Sequence, residues 1–380
     1  MEKGLYIAFE FEYNPDILQD KNALTNGIQK KVFFQFRTFE RYGYHMDFYN
    51  PYSERRHSIE RFLRRCPFHY LNSWNFDFGK ISEYEFIYIR KMWFMDGDLI
   101  FFLRKVRDIN PAIKIILEVP TYPYDSEGKK INMIPLKIKD KKWRKQLYKY
   151  VDRIVTYSDH DEIFGIQTIK SVNAIDFESC KRTGNNLDEH NINMIACSSL
   201  YYWHGYDRII EGLYRYYIDN PQIPVNVYIV GNGAEFDNYK KMIDKYNLSS
   251  HVFLVGGKYG TELDDIYNKC VIGLDSMGRH RSGVFYNSSL KGKEYCAKGL
   301  VIISGVKTEL DDDPTVDFYY RIPANDEPVN IQDILVFYFQ LMQKRCITDV
   351  QNGIMEYAEK NFDFFIAMKS VVDFIKQNKM

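Results

Sequence analysis

The sequence predicts an α/β protein of two Rossmann-like domains facing across a cleft, and three observations carry that expectation. Its 380 residues exceed one ordinary α/β core and suit two. Short apolar runs alternate with amphipathic segments almost from end to end, the pattern of parallel strands joined by crossover helices. The alternation is broken once, by the polar stretch Lys181–His190, and then resumes. This reading divides the chain into a domain over 1–180 and another over 181–361, with a last helical segment, 362–380, crossing back to the first.

Leu5–Phe9 reads as the first strand. Thr25 and Asn26 can cap a helix that carries Ile28, Val32, Phe36 and Phe39 on one face and that Gly43 stops. Strands follow at Tyr44–Tyr49, Phe86–Arg90, Ile113–Val119 and Arg153–Tyr157, with a helix over Gly97–Arg107 before Asn110-Pro111. Residues 50–80 have no clear period. In the second series the strands are Asn193–Cys197, Val225–Val230, His251–Val255, Val271–Leu274 and Leu300–Ile303, and the helices Gly205–Tyr217, Glu235–Tyr246, Glu262–Asn268 and Leu290–Lys298. Phe365, Met368, Val372 and Ile375 stand at helical spacing in the final segment.

Composition removes several function classes. Lys plus Arg and Asp plus Glu both total 51, so net charge makes no case for a nucleic-acid partner. The six cysteines are scattered without the C-x-x-C pair of a zinc site or a dithiol, which fits reduced thiols in a reducing compartment, and no resident cofactor is expected. The N-terminus runs into a strand without the features of a signal peptide, and no apolar run reaches transmembrane length. A cytoplasmic location is expected. With Asn, Lys and Ile also plentiful, the 31 tyrosines read as compositional bias.

The richest stretch is Gly278-Arg279-His280-Arg281-Ser282-Gly283, followed by Ser288-Ser289-Leu290-Lys291-Gly292-Lys293-Glu294 and a buried strand. A basic, glycine-containing loop leads into a helix with a polar N-terminus. Unpaired amides at a helix start attract anions, and Arg279, Arg281 and Lys291 can neutralise a diphosphate. Glu294, one turn further in, can accept hydrogen bonds from ribose hydroxyls.

In Glu294–Ser304 the sequence resembles the retaining glycosyltransferases of family four, with the GT-B fold, of the type that builds bacterial capsule and exopolysaccharide. The resemblance implies that Glu294 binds the donor ribose and that the amides of Ser289, Leu290 and Lys291 meet the diphosphate. Where the family has a second Glu against the donor sugar, this chain has Tyr286. Tyr202–Gly212 is similar to the family's first donor-domain helix, with His204 in the place of its Lys and Ser198 in that of its Arg. Val230-Gly231-Asn232-Gly233 matches a strand-ending glycine turn, and Val255-Gly256-Gly257-Lys258 the loop that receives the base, which brings in Gly257 and Lys258. On the acceptor side, Glu118–Asp125 and Asn26–Lys31 resemble the corresponding loops, singling out Tyr122, Tyr124, Asp125 and Gly27. Asp125 and His204 are the candidate catalytic groups.

The implied reaction takes a UDP- or GDP-sugar to a hydroxyl of a saccharide or lipid-linked acceptor, with retention and without a metal. Two alternatives share the layout: a non-hydrolysing nucleotide-sugar epimerase, and a non-catalytic GT-B subunit that stabilises a partner transferase. Residues 1–180 hold 29 basic and 25 acidic side chains, and within 129–153 ten Lys or Arg stand against two Asp. Interspersed with Ile134, Leu136, Ile138, Trp143 and Leu147, this segment suits peripheral contact with an anionic membrane.

Overall fold

Residues 2–9, 24, 27–51, 66, 74–91, 94–125, 133–188 and 190–377 are described by a computed structural model. Thr25 and Asn26, most of 50–80, residues 129–132 and the last three positions lie outside them. The chain divides into two compact units, one of Met1–Ser171 with Phe364–Met380, the other of Val172–Asp363.

The first unit contains β1 (Lys3–Ile7), α1 (Gly27–Arg41), β2 (His45–Tyr49), β3 (Phe86–Arg90), α2 (Gly97–Ile109), β4 (Lys114–Val119), α3 (Ile134–Arg144), β5 (Arg153–Thr156), β6 (Glu162–Ile163) and β7 (Ile166–Lys170). Its seven-stranded sheet has the order β2-β1-β3-β4-β5-β7-β6. Every pairing is parallel except that of β6 with β7. β3 and β4 are buried along their whole length, as a parallel sheet covered on both faces requires. Asp96 caps α2 by accepting the Leu99 N–H at 3.1 Å.

Val32, Phe36 and Phe39 of α1 share one core with Val371, Val372 and Ile375 of the final helix (Lys369–Lys376). The last segment therefore packs with the first unit, as two helical pieces instead of one, since Phe364–Ala367 is a separate turn. Lys114 fixes its end: Nζ donates to the carbonyls of Phe374 (2.8 Å) and Ile375 (2.7 Å), the groups a helix C-terminus leaves unpaired. The β6–β7 hairpin was not legible in the sequence. Its two-residue turn puts Phe164 at φ 56° and Gly165 at φ 80°, a conformation that Asn-Gly normally announces and Phe-Gly does not.

The second unit contains β8 (Ile192–Cys197), α4 (Tyr206–Ile218), β9 (Val225–Val230), α5 (Phe236–Lys245), β10 (Val252–Gly256), α6 (Gly260–Tyr267), β11 (Ile272–Leu274), α7 (Leu290–Ala297), β12 (Val301–Ser304), β13 (Tyr319–Arg321), α8 (Ile331–Met342) and α9 (Ile347–Asn361). Its six strands are all parallel, in the order β10-β9-β8-β11-β12-β13. Fully buried Ile195, Ile209, Ile229, Ile272 and Ile303 form the centre of its core. Each such side chain stabilises the fold by about 1.5–3 kcal/mol. β13, α8 and α9 go beyond the elements the sequence reading assigned.

Candidate functional site

The strand order of the second unit reverses between β8 and β11, its first and fourth strands. The connections from these neighbours leave in opposite directions, so a crevice opens at their carboxyl ends, where ligands of doubly wound sheets bind. The loops that line it are 198–205 and 275–283. They are joined at backbone level: the Met277 N–H donates to the His204 carbonyl at 2.7 Å, and Gly205, at φ 66°, sits against Gly278. A Cβ on Gly205 would lie 2.5 Å from the Gly278 nitrogen, so no larger residue fits without parting the loops. Gly205→Ala is expected to destabilise the protein by about 2 kcal/mol and to weaken nucleotide binding at the crevice, measured by thermal melting and calorimetry.

His204, Arg279 and Lys291 converge here, although the last two stand 75 and 87 positions beyond the first in the chain. His204 is buried, and its Nδ1 accepts the Tyr201 N–H at 3.2 Å with the Ser198 hydroxyl at 3.3 Å. Burial, then the charges of Lys291 and Arg279, hold its pKa well below the usual imidazole value. A neutral ring with an accepting Nδ1 carries its proton on Nε2, which makes Nε2–H a donor beside two cations. The folded-state pKa lies below the unfolded value of about 6.5, so this term is fully present above that pH and is lost as pH falls below it. Acid titration of stability below about pH 6.5 is therefore expected to be shallower in His204→Gln than in the native protein, a difference that melting curves from pH 7 to 5 will show.

Asp275, at the end of β11 and 1% exposed, organises the rest. It accepts the Ser289 hydroxyl at 2.8 Å and the Ser304 hydroxyl at 3.3 Å, and pairs with Lys291 Nζ at 3.3 Å. Lys291 also donates to the Ser276 hydroxyl at 3.1 Å. Ser289 is the N-cap of α7, its hydroxyl accepting the Gly292 N–H. One buried carboxylate thus fixes both the helix start and the lysine upon it. Leu290, Lys291 and Glu294 ride on α7, and the Glu294 charge helps to push the Cys197 thiol up to about 12, behind burial as the larger cause. That places the carboxylate by the end of β8. Lys293, fully buried, pairs with Glu309, and burial lowers its pKa to about 8.

The other residues singled out from the sequence have partners of their own within the second unit. Arg281 is engaged by protein carboxylates: two 2.8 Å bonds to Asp207 and one of 2.6 Å to Asp326. Its position braces the loop, and Arg279, itself buried, donates to the Ser282 hydroxyl at 3.4 Å. Tyr286 bridges to Lys307 as an isolated strand-like pair, half-buried. Gly257 follows β10 with its backbone against the Asn232 side chain, and Lys258 pairs with Glu262 at 3.3 Å. Sequence reasoning missed Asp275, because a strand-ending Asp carries no local signature.

In the first unit Gly27 opens α1, exposed and with open space around it. Asp125 is held by Arg144 through bonds of 2.7 and 2.9 Å, and Tyr124 donates to Asp140 at 2.9 Å. Tyr122 packs edge-on against His160. Asp125 and Tyr124 thus build a local polar brace with Arg144 and Asp140 of α3. Glu118, the head of the acceptor-side segment, lies inside β4 as the strand expected over Ile113–Val119 requires, and it is fully buried. Its carboxylate pairs with Arg90 and with Lys31 Nζ at 3.1 Å, and accepts Tyr88 OH at 2.8 Å and Gln35 Nε2 at 2.9 Å.

Residues 180–274 match the family model of glycosyl transferases group 1, a quarter of the chain. The match ends just before the Asp275 loop, so the placement of Arg279, Lys291 and Glu294 rests on geometry. Sucrose-phosphate synthase of Thermosynechococcus elongatus superposes with a TM-score of 0.62 at 13% identity over 98% of either chain. A Rickettsia africae glycosyltransferase gives 0.61 at 10% identity over 99% of this chain and 98% of that one. The fold is GT-B. Anabaena HepE, solved with UDP-glucose, shares it with a TM-score of 0.55 at 11% identity over 99% of this chain and 100% of that one. At such identities these likenesses establish the GT-B fold alone. No curated protein sequence matches the chain. Among the described residues, no helix is long and apolar enough to cross a membrane, and no group of three or more His, Cys, Asp and Glu is gathered for a metal ion.

Proposed function

We propose that this protein is a glycosyltransferase that moves a sugar from a nucleoside-diphosphate sugar to a hydroxyl of a saccharide or lipid-linked acceptor, with retention. One observation carries the reading. At the switch point of the unit that holds the glycosyl transferases group 1 segment, Lys291, in the first turn of α7, and Arg279 stand close enough to His204 for their charges to act on its ring. A diphosphate leaving the anomeric carbon gains charge, and preorganised donors in a partly water-excluded crevice stabilise that charge more than bulk water does. These groups can do so without a metal. Glu294 is proposed to hold the donor ribose, the backbone at Gly257 and Lys258 the base, and Tyr286 to line the sugar subsite. HepE complexes with UDP and UDP-glucose support UDP as the nucleotide, with GDP as the other candidate.

Surface polysaccharide or glycoconjugate synthesis on the inner face of the cell membrane suits such a reaction. On α3, Ile134 and Ile138 are exposed one turn apart, with Lys141, Lys142 and Lys145 exposed beyond them. We place peripheral contact with anionic lipid there. Flotation with and without anionic liposomes tests it, and equal, negligible binding removes it. The reaction itself is tested by incubating the protein with UDP- and GDP-sugars, alone and with glycan acceptors. Release of nucleoside diphosphate with an α-linked product from an α-linked donor is expected, whereas an isomerised sugar without any acceptor favours the epimerase.

A further inference from the structure

Beside the phosphate-binding groups stands an aromatic surface that neither the core nor the proposed chemistry uses. Tyr201 and Trp203 stack with ring centroids 4.6 Å apart and planes at 20°. Tyr201 is 43% exposed and Trp203 is half-buried. The pair does not rotate freely. Tyr202 meets the Trp203 ring edge-on at 5.0 Å, and the Arg279 guanidinium lies 5.9 Å from its centre. The Tyr201 peptide N–H is the one that fixes His204, so the stack and the donor imidazole belong to a single turn. Of the unit's other exposed large apolar side chains, Tyr259 and Phe285 also stand on loops that follow strand ends, after β10 and β11. Tyr214, Ile218 and Val336 lie on helices.

An exposed aromatic face that is already ordered presents a large, amphipathic contact area at little entropic cost. A pyranose ring offers the complement: one face of C–H bonds, weakly positive, for the electron-rich ring face, and hydroxyls at the rim for nearby polar groups. We infer that the Tyr201–Trp203 stack is a platform for a pyranose ring next to the diphosphate site. The inference rests on the donor reading, and the ring has two sources, the sugar carried by the nucleotide or the acceptor saccharide.

Three proteins distinguish the cases: the native chain, Tyr201→Ala and Tyr201→Phe. All keep the peptide N–H to His204, so UDP and GDP should bind them alike in calorimetry. If the ring is the donor's, Tyr201→Ala lowers affinity for UDP-glucose or GDP-mannose, relative to the parent nucleotide, by about three- to tenfold, and Tyr201→Phe restores it. If it is the acceptor's, those affinities hold. Saturation transfer from the protein to methyl glucosides, measured at saturating nucleotide, then disappears in Tyr201→Ala and returns in Tyr201→Phe. Tyr201→Ala that changes neither readout overturns the platform. A native protein that binds neither nucleotide overturns the donor reading instead, and saturation transfer to methyl glucosides measured without nucleotide then decides the platform, its absence from the native chain overturning it.

Discussion

Replacing Lys291 with methionine is expected to slow sugar transfer by about a hundredfold or more, with the fold retained. The ammonium is held at the crevice by Asp275 and the Ser276 hydroxyl, beside Arg279 and His204. Removing one preorganised donor from a developing oxyanion typically lowers the rate by 10²–10³. Part of the change is structural, because Asp275 is 1% exposed and loses its counter-charge. The hydroxyls of Ser289 and Ser304 still bond to it, so a loss of about 1–3 kcal/mol in stability accompanies the kinetic effect. Asp275→Asn separates the two contributions: it keeps the lysine and both serines but frees the ammonium. An intermediate rate is expected, with a KM that rises more than kcat falls. Circular dichroism and steady-state kinetics on the two variants check this.

Glu118→Gln is expected to be the most destabilising single substitution in the first unit, by about 3–5 kcal/mol. The carboxylate is fully buried and shared by Lys31 and Arg90, which are 4% and 6% exposed at their side chains. The nearby cations and the Tyr88 hydrogen bond outweigh burial and lower its pKa to about 2. Its unfolded value is near 4.3, so this stabilisation is complete above that pH and declines as pH falls towards about 2. The isosteric amide keeps the shape and the hydrogen bonds to Tyr88 but removes the charge that balances two buried cations. Urea titration at neutral pH measures the loss, and the variant should show less further loss between pH 5 and 3 than the native protein. Since Lys31 and Gln35 come from α1, Arg90 from β3 and Glu118 from β4, the network ties together the elements at the β1–β3 switch point.

What the sequence made legible follows the range of its signals. Periodicity is local, so Phe86–Arg90 and Val225–Val230 coincide with observed strands and most other elements differ only at their ends. Turns that break the usual chemistry were lost, as at Phe164-Gly165. The site depends on partners distant in sequence. Arg281 looked like a phosphate ligand because its own segment is basic, yet Asp207, 74 positions away, and Asp326, 45 positions away, engage it. Asp125 reads as a catalytic candidate in its own segment, yet Arg144, 19 positions away, engages its carboxylate. Asp275 was invisible for the opposite reason: nothing near it in sequence marks the carboxylate that fixes both Ser289 and Lys291. Likewise the stack of Tyr201 on Trp203 cannot be separated by composition alone from 31 tyrosines in total.

The central claim is that the β8–β11 crevice holds a nucleoside diphosphate through Arg279, His204 and Lys291. Calorimetric titration of UDP and of GDP into the native protein and into an Arg279→Ala/Lys291→Met double variant tests it most directly. One of the two nucleotides should bind the native chain at a single site, with affinity falling steeply as salt rises, and binding to the folded double variant should be lost. Equal affinity in both proteins, or no binding of either nucleotide by the native chain, would contradict the account.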